Sequence, residues 1–102
     1  MIKVYISGKV SGLDHDTAFK SFEDAEKWIV SFGKIPINPM KFCPSEPNFD
    51  PSWTWEQYMD VCCRELLRCE EIFMLKDWGH SRGARVEHAM AKELGLSIYF
   101  QN

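Results

Sequence analysis

The apolar positions of this 102-residue chain change period along its length. Residues 2–7, 34–37, 72–75 and 96–100 are short apolar or alternating runs, the pattern of strands. Between the first two, Ala18, Phe22, Ala25, Ile29 and Phe32 step by 4, 3, 4, 3, the spacing of one buried helix face. Trp55, Met59, Cys62, Leu66 and Cys69 repeat that stepping, which predicts a second long helix. A third is predicted over 81–94, with Val86, Met90 and Leu94 as its apolar stripe.

The punctuation agrees with the periods. Asp14 or Asp16 can cap the first helix and Gly33 ends it. Ser52 or Thr54 can cap the second, Ser81 the third, and Gly95 supplies a left-handed stop. Residues 38–51, with Pro39, Pro44, Pro47 and Pro51, read as a long irregular segment: a lid, a binding loop, a contact surface, or a loop simply packed on the surface.

Strands alternating with helices imply a parallel sheet covered on both faces, because parallel strands need crossovers long enough to hold a helix. With right-handed crossovers the simplest result is a single-domain flavodoxin-like α/β three-layer sandwich over residues 1–102, strand order 2-1-3-4. In such sheets ligands bind beyond the carboxyl ends of the strands, where the chain order switches between strands 1 and 3. Those ends carry Ser7-Gly8 and the turn over 78–83.

Composition narrows the partners. A net charge of -3 opposes binding to a nucleic-acid polymer or an anionic membrane, both of which need a basic surface. No apolar run approaches the roughly 20 residues of a membrane span. The opening MIKVYISGKV has a strand pattern rather than the apolar core of a signal peptide, so a soluble, cytoplasmic protein is expected. Cys43, Cys62, Cys63 and Cys69 form neither CxxC pairs nor zinc-ligand spacings. Cys62 and Cys69 sit on the apolar helical stripe and read as buried thiols; no metal is expected.

Candidate chemistry gathers in DWGHSRGARVEHAMAKELGL, residues 77–96. An apolar strand enters a turn, and Ser81 then opens a helix whose first backbone N–H groups lack intrahelical partners. Gly83 permits close approach to that backbone. Arg82 and Arg85 in the first turn oppose the helix dipole, with His80 just before them, and a bound anion would relieve the conflict. Glu87 lies six residues past the cap, too far for a capping box, on a line with Ala84, Ala91 and Leu94. Such a carboxylate is either solvated or set among small residues with room for a ligand. Trp78 either stacks on a nucleobase or covers the core edge. The Gly turn in YISGKVSG can wrap a sugar or phosphate.

Together these segments resemble the nucleoside 2-deoxyribosyltransferase superfamily, and most of all its short DUF4406-type branch. The resemblance is carried by YISGKVSG, INP at 37–39, WEQYM, the strand IFML, W-x-x-S-R-G-A-R-x-E-H-x-x-A and LGL. It implies that Glu87 is a nucleophile that attacks the anomeric carbon of a 2-deoxyribose, giving a covalent glycosyl-enzyme resolved by a second base or by water. Ser81 is similar to the Ser of the 2-deoxynucleoside 5-phosphate N-hydrolases, where the transferases have Asp. That implies a phosphorylated substrate and hydrolysis, with Ser81 and Gly83 as phosphate cradle and Ser7 and Gly8 as sugar contacts. No cofactor is implied, and members often complete their sites with a neighbouring subunit, which leaves both a monomer and a homo-oligomer open. There is one departure: many relatives carry an Asp eight residues before the acidic residue opening strand 3, and counting back from Glu70 gives Cys62. Asp60 is two helical positions from Cys62, a rotation of about 200°, and does not replace it.

Three functions follow as expectations. The first is an enzyme that cleaves the N-glycosidic bond of a 2-deoxynucleotide or 2-deoxynucleoside. The second is a non-catalytic nucleotide-binding module, favoured by Cys62. The third is a scaffold acting through its proline-rich loop and tryptophans, over residues 42–55.

Overall fold

A computed structural model describes residues 1–10, 12–42 and 52–102. Four strands, β1 (Lys3–Ser7), β2 (Ile35–Ile37), β3 (Glu71–Met74) and β4 (Ser97–Phe100), form one parallel sheet in the order β2-β1-β3-β4. The helices are α1 (His15–Ser31), α2 (Pro39–Phe42), α3 (Trp55–Leu67) and α4 (Arg82–Leu94). The flavodoxin-like order and the parallel sheet are as expected from the sequence.

Strand alternation divides the core into two. Val4 and Ile6 of β1, with Phe73 and the following Leu75, pack on Phe22, Ala25 and Ile29 of α1. Tyr5, Ile72 and Met74 point the other way, onto Cys62 and Leu66 of α3 and Ala84 and Ala91 of α4. The register places Tyr5 beside Ile72 and Ser7 beside Met74, so Tyr5 and Ser7 share the face that α3 and α4 cover.

The caps explain where the helices start and stop. The Asp14 carboxylate accepts from the Thr17 backbone N–H, and Thr54 forms a reciprocal capping box with Gln57. Ser81 Oγ accepts from the Ala84 N–H, and Gly95 closes α4 at φ +74°.

Three expectations need correction. Phe32 does not join the buried face of α1; as the C-cap residue it has left the helical rotation and is 61% exposed. Val86 is likewise exposed, because α4 turns its Ala84–Glu87–Ala91 line to the sheet, and Leu94, though it continues that line, is the last residue of the helix and is exposed too. Small residues on that line let the helix approach closely. The segment expected to be irregular opens with a helical turn, α2, where Asn38 Oδ1 accepts from the Met40 N–H. The remainder of that segment, 43–51, lies outside the described residues. Among the described residues, no helix is long and apolar enough to cross a membrane.

Candidate active site

Beyond the carboxyl ends of β1 and β3 lies a cavity of about 370 Å³. Its floor is Glu87, only 6% exposed although it is an acid. The position follows from helix geometry: three residues after the buried Ala84 and four before the buried Ala91, Glu87 must face the sheet. There β1 presents two hydroxyls. Ser7 Oγ donates to Glu87 Oε1 at 2.6 Å, and the Tyr5 hydroxyl donates to Oε2 at 2.6 Å. Both carboxyl oxygens are thus gripped, one by each successive inward residue of the strand.

Burial pushes the Glu87 carboxyl up to about 7, against the opposing pull of the Ser7 and Tyr5 hydrogen bonds. Burial also holds the Tyr5 phenol well above its ordinary range, with Glu87 and Cys62 reinforcing the effect. Tyr5 therefore stays a donor at any physiological pH, and Glu87 changes charge near neutrality. None of the ion pairs among the described residues involves Glu87.

Above this floor the wall is mixed. Phe22, Pro39, Trp55, Tyr58 and Met59 supply an apolar side, with Cys62 beside them. His80, Ser81 and the first turn of α4 supply a polar one, joined by Lys9. Arg82 spans the two sides, its guanidinium carbon 3.6 Å from the centre of the Trp55 ring. The loop after β1 is tied across the switch point, the Lys9 backbone N–H donating to Asp77 Oδ1 at 3.2 Å.

Residues 2–100 match the family model described as Domain of unknown function (DUF4406). The chain belongs to the DUF4406 family. Comparison with curated proteins and with solved structures returned no match.

Of the residues singled out in the sequence of this DUF4406 protein, Gly8, Ser81, Gly83 and Glu87 line one cavity. Ser7 lies behind it, buried against Glu87 rather than exposed to a ligand. Gly8 has a packing reason of its own: a Cβ there would lie 2.6 Å from Leu75 Cδ1 and 2.8 Å from Leu75 Cβ. Gly83 similarly lets α4 close on α3, where a Cβ would meet Met59 Sδ at 3.1 Å. Trp78 is not brought to the cavity; its ring packs on His88 and Phe100, with centroids 4.4 Å and 6.0 Å away. Arg85 also turns aside, donating to the Gly79 carbonyl at 2.9 Å.

Sequence reasoning missed Tyr5, Trp55 and Tyr58 as site residues, whereas Arg82 and His80, read beside the anion site, do line the cavity. A signal existed for Tyr5, since period-two alternation puts it on the same face as Ser7. For the Arg82–Trp55 contact there was none, because it joins the starts of two helices whose approach only the fold defines.

Proposed function

We propose that this protein cleaves the N-glycosidic bond of a 2-deoxynucleotide or 2-deoxynucleoside, with Glu87 as nucleophile. The observation that carries the reading is the buried Glu87 carboxyl, held through both oxygens at the floor of a cavity sized for a small organic ligand. Likeness to the nucleoside 2-deoxyribosyltransferases adds to it through the W-x-x-S-R-G-A-R-x-E-H block.

In this mechanism the ionised Glu87 forms a C–O bond to the anomeric carbon as the C–N bond breaks, and the electron pair leaves with the base. Water, or a second base, then displaces the carboxylate from the same carbon. Tyr5 and Ser7 aim the carboxylate and stabilise its charge when it is released. At the polar rim Ser81, Gly83 and the α4 amides meet the 5-phosphate, with Arg82 and Lys9 as its counter-charges. No metal or organic cofactor is required, and the setting we assign is cytoplasmic.

A second reading, a nucleotide-binding module without turnover, draws on one feature: Cys62 lines the cavity at the position where many superfamily relatives carry an Asp. Base release from 2-deoxynucleoside 5-monophosphates and nucleosides, followed by chromatography with and without an acceptor base, separates the two. Release is expected from wild type, with a loss of at least about 10³-fold in Glu87→Ala. Wild-type turnover surviving in Glu87→Ala sinks the nucleophile assignment; binding with no release from any substrate favours the module.

A further inference from the structure

A carboxylate that must act as a nucleophile is usually paired with a second carboxyl group that protonates the leaving group. Among the described residues lining the cavity, Glu87 is the one carboxylate. Its two oxygens are bonded by neutral hydroxyls, and none of the ion pairs among the described residues includes it. A buried anion without a paired cation favours a ligand that brings positive charge. The adjoining wall suits such a ligand as well. Trp55, Tyr58 and the polarisable sulfur of Met59 line it, and the Arg82 guanidinium over the Trp55 ring shows that this wall accepts a cation against it.

From these observations we infer that the cavity takes N-glycosides whose leaving heterocycle carries a fixed positive charge, a pyridinium-like ring. The inference rests on the glycosidic reading above and names its substrate class. The step balances without a proton donor. A Glu87 oxygen bonds to the anomeric carbon, the C–N bond breaks, and its electron pair returns to the ring nitrogen. The ring's charge is thereby cancelled, and it departs neutral. Water then adds its oxygen to the anomeric carbon, the carboxylate leaves with its electron pair, and the water proton passes to solvent. A neutral nucleobase leaves as an anion unless it is protonated, and loss of acid catalysis costs it about 10²–10⁴ in rate. In the reading above Lys9 and Arg82 are the counter-charges of the 5-phosphate, which offsets their charge in the bound complex.

Two matched measurements test the inference on the whole chain. The first compares turnover of the 2-deoxyriboside 5-phosphate of nicotinamide with that of 2-deoxyadenosine 5-monophosphate. At least about 10²-fold faster release from the charged glycoside is expected. The second compares binding, at pH 8, of the ribosyl nicotinamide 5-phosphate and its uncharged benzamide C-glycoside isostere. Wild type is expected to bind the cation at least about tenfold more tightly, and Glu87→Gln to erase the difference. Equal turnover of the two substrates, or equal affinity for the isosteres, overturns the charge preference while leaving the glycosidase standing. A Glu87-dependent preference in binding without cleavage of either substrate supports the charge preference and removes the glycosidic reading. Neither cleavage nor preference removes both.

Discussion

Neighbouring residues of β1 (Lys3–Ser7) belong to two different kinds of interior. Val4 and Ile6 enter an apolar cluster with α1, where burial alone acts and every side chain is satisfied by contact. One position along, Tyr5 and Ser7 point to the opposite face and spend their hydroxyls on a buried acid. A single strand therefore anchors the domain with one face and holds a buried acid with the other. The second face carries a cost the first does not, for Glu87 is desolvated until its carboxyl sits at about 7. A desolvation cost of that kind at a cavity, beside an apolar core, marks a candidate functional site.

The sharpest way to break this comparison is to cut each face once. On the α1 face, Ile29 is 2% exposed and lies away from the cavity. Ile29→Ala should cost about 2–5 kcal/mol in urea unfolding while leaving base release per folded molecule unchanged. On the other face the sign reverses. Glu87 holds its proton in the folded protein between 4.5 and about 7, whereas the unfolded chain has lost its own. Its contribution is therefore fully present below 4.5, declines as the pH rises to about 7, and is flat above. At pH 8 the deficit is on the order of 3 kcal/mol, from about 1.4 kcal/mol per pH unit. Glu87→Gln should accordingly be more stable than wild type by about that amount at pH 8, and the gap should close below pH 4.5. A variant less stable than wild type at pH 8 would show that the carboxyl is not held at a cost.

The sequence made the apolar face easier to read than the reactive one, for a physical reason. Helix stripes such as Phe22–Ala25–Ile29 and caps such as Asp14, Thr54 and Gly95 are local patterns, fixed within a few residues. Glu87 stood out by its place in a helix, yet its partners are 80 and 82 residues away in the chain. Ser7 was read as a sugar contact, and in the fold it is buried with its hydroxyl bonded to Glu87. Tyr5 lay in plain alternation with Ser7 and acquired a meaning only when α4 was laid over it. Trp78 shows the converse: the sequence left open a nucleobase or the core edge, and its neighbours are His88 and Phe100. Rotation past a helix end, as at Phe32, was beyond the stripe pattern because one residue turns the side chain by about 100°.

The seam between the two faces is Gly8. It leaves β1 toward the cavity, yet its missing side chain is what admits Leu75 of the α1-side core. Gly8→Ala should cost about 1–3 kcal/mol through overpacking, since Leu75 Cβ, close to the backbone, cannot swing away as a chain end could. Thermal unfolding measures this directly. If Gly8→Ala instead kept full stability and lost only ligand binding, the residue would belong to the reactive face alone.

The finest test sits inside the reactive face and asks whether Tyr5 is merely part of the core. Its ring is fully buried, so its contacts with Leu66 and Ile72 survive in Tyr5→Phe, and only the hydroxyl is lost. That hydroxyl bonds the charged form of Glu87 better than the neutral one, which is why it lowers the carboxyl pKa. Removing it must raise the Glu87 pKa above the wild-type value of about 7. A hydrogen bond to a charged group contributes about 1.5–3 kcal/mol, equivalent to roughly one to two pH units. The rise of kcat/KM with pH should therefore move toward alkaline pH by about that interval in Tyr5→Phe. The plateau should fall less than the rate at pH 7, because enough base restores the ionised carboxylate. A purely structural Tyr5 would lower activity equally at every pH and leave the midpoint in place. A shifted midpoint with a largely recovered plateau would instead mark Tyr5 as the residue that sets the charge of Glu87.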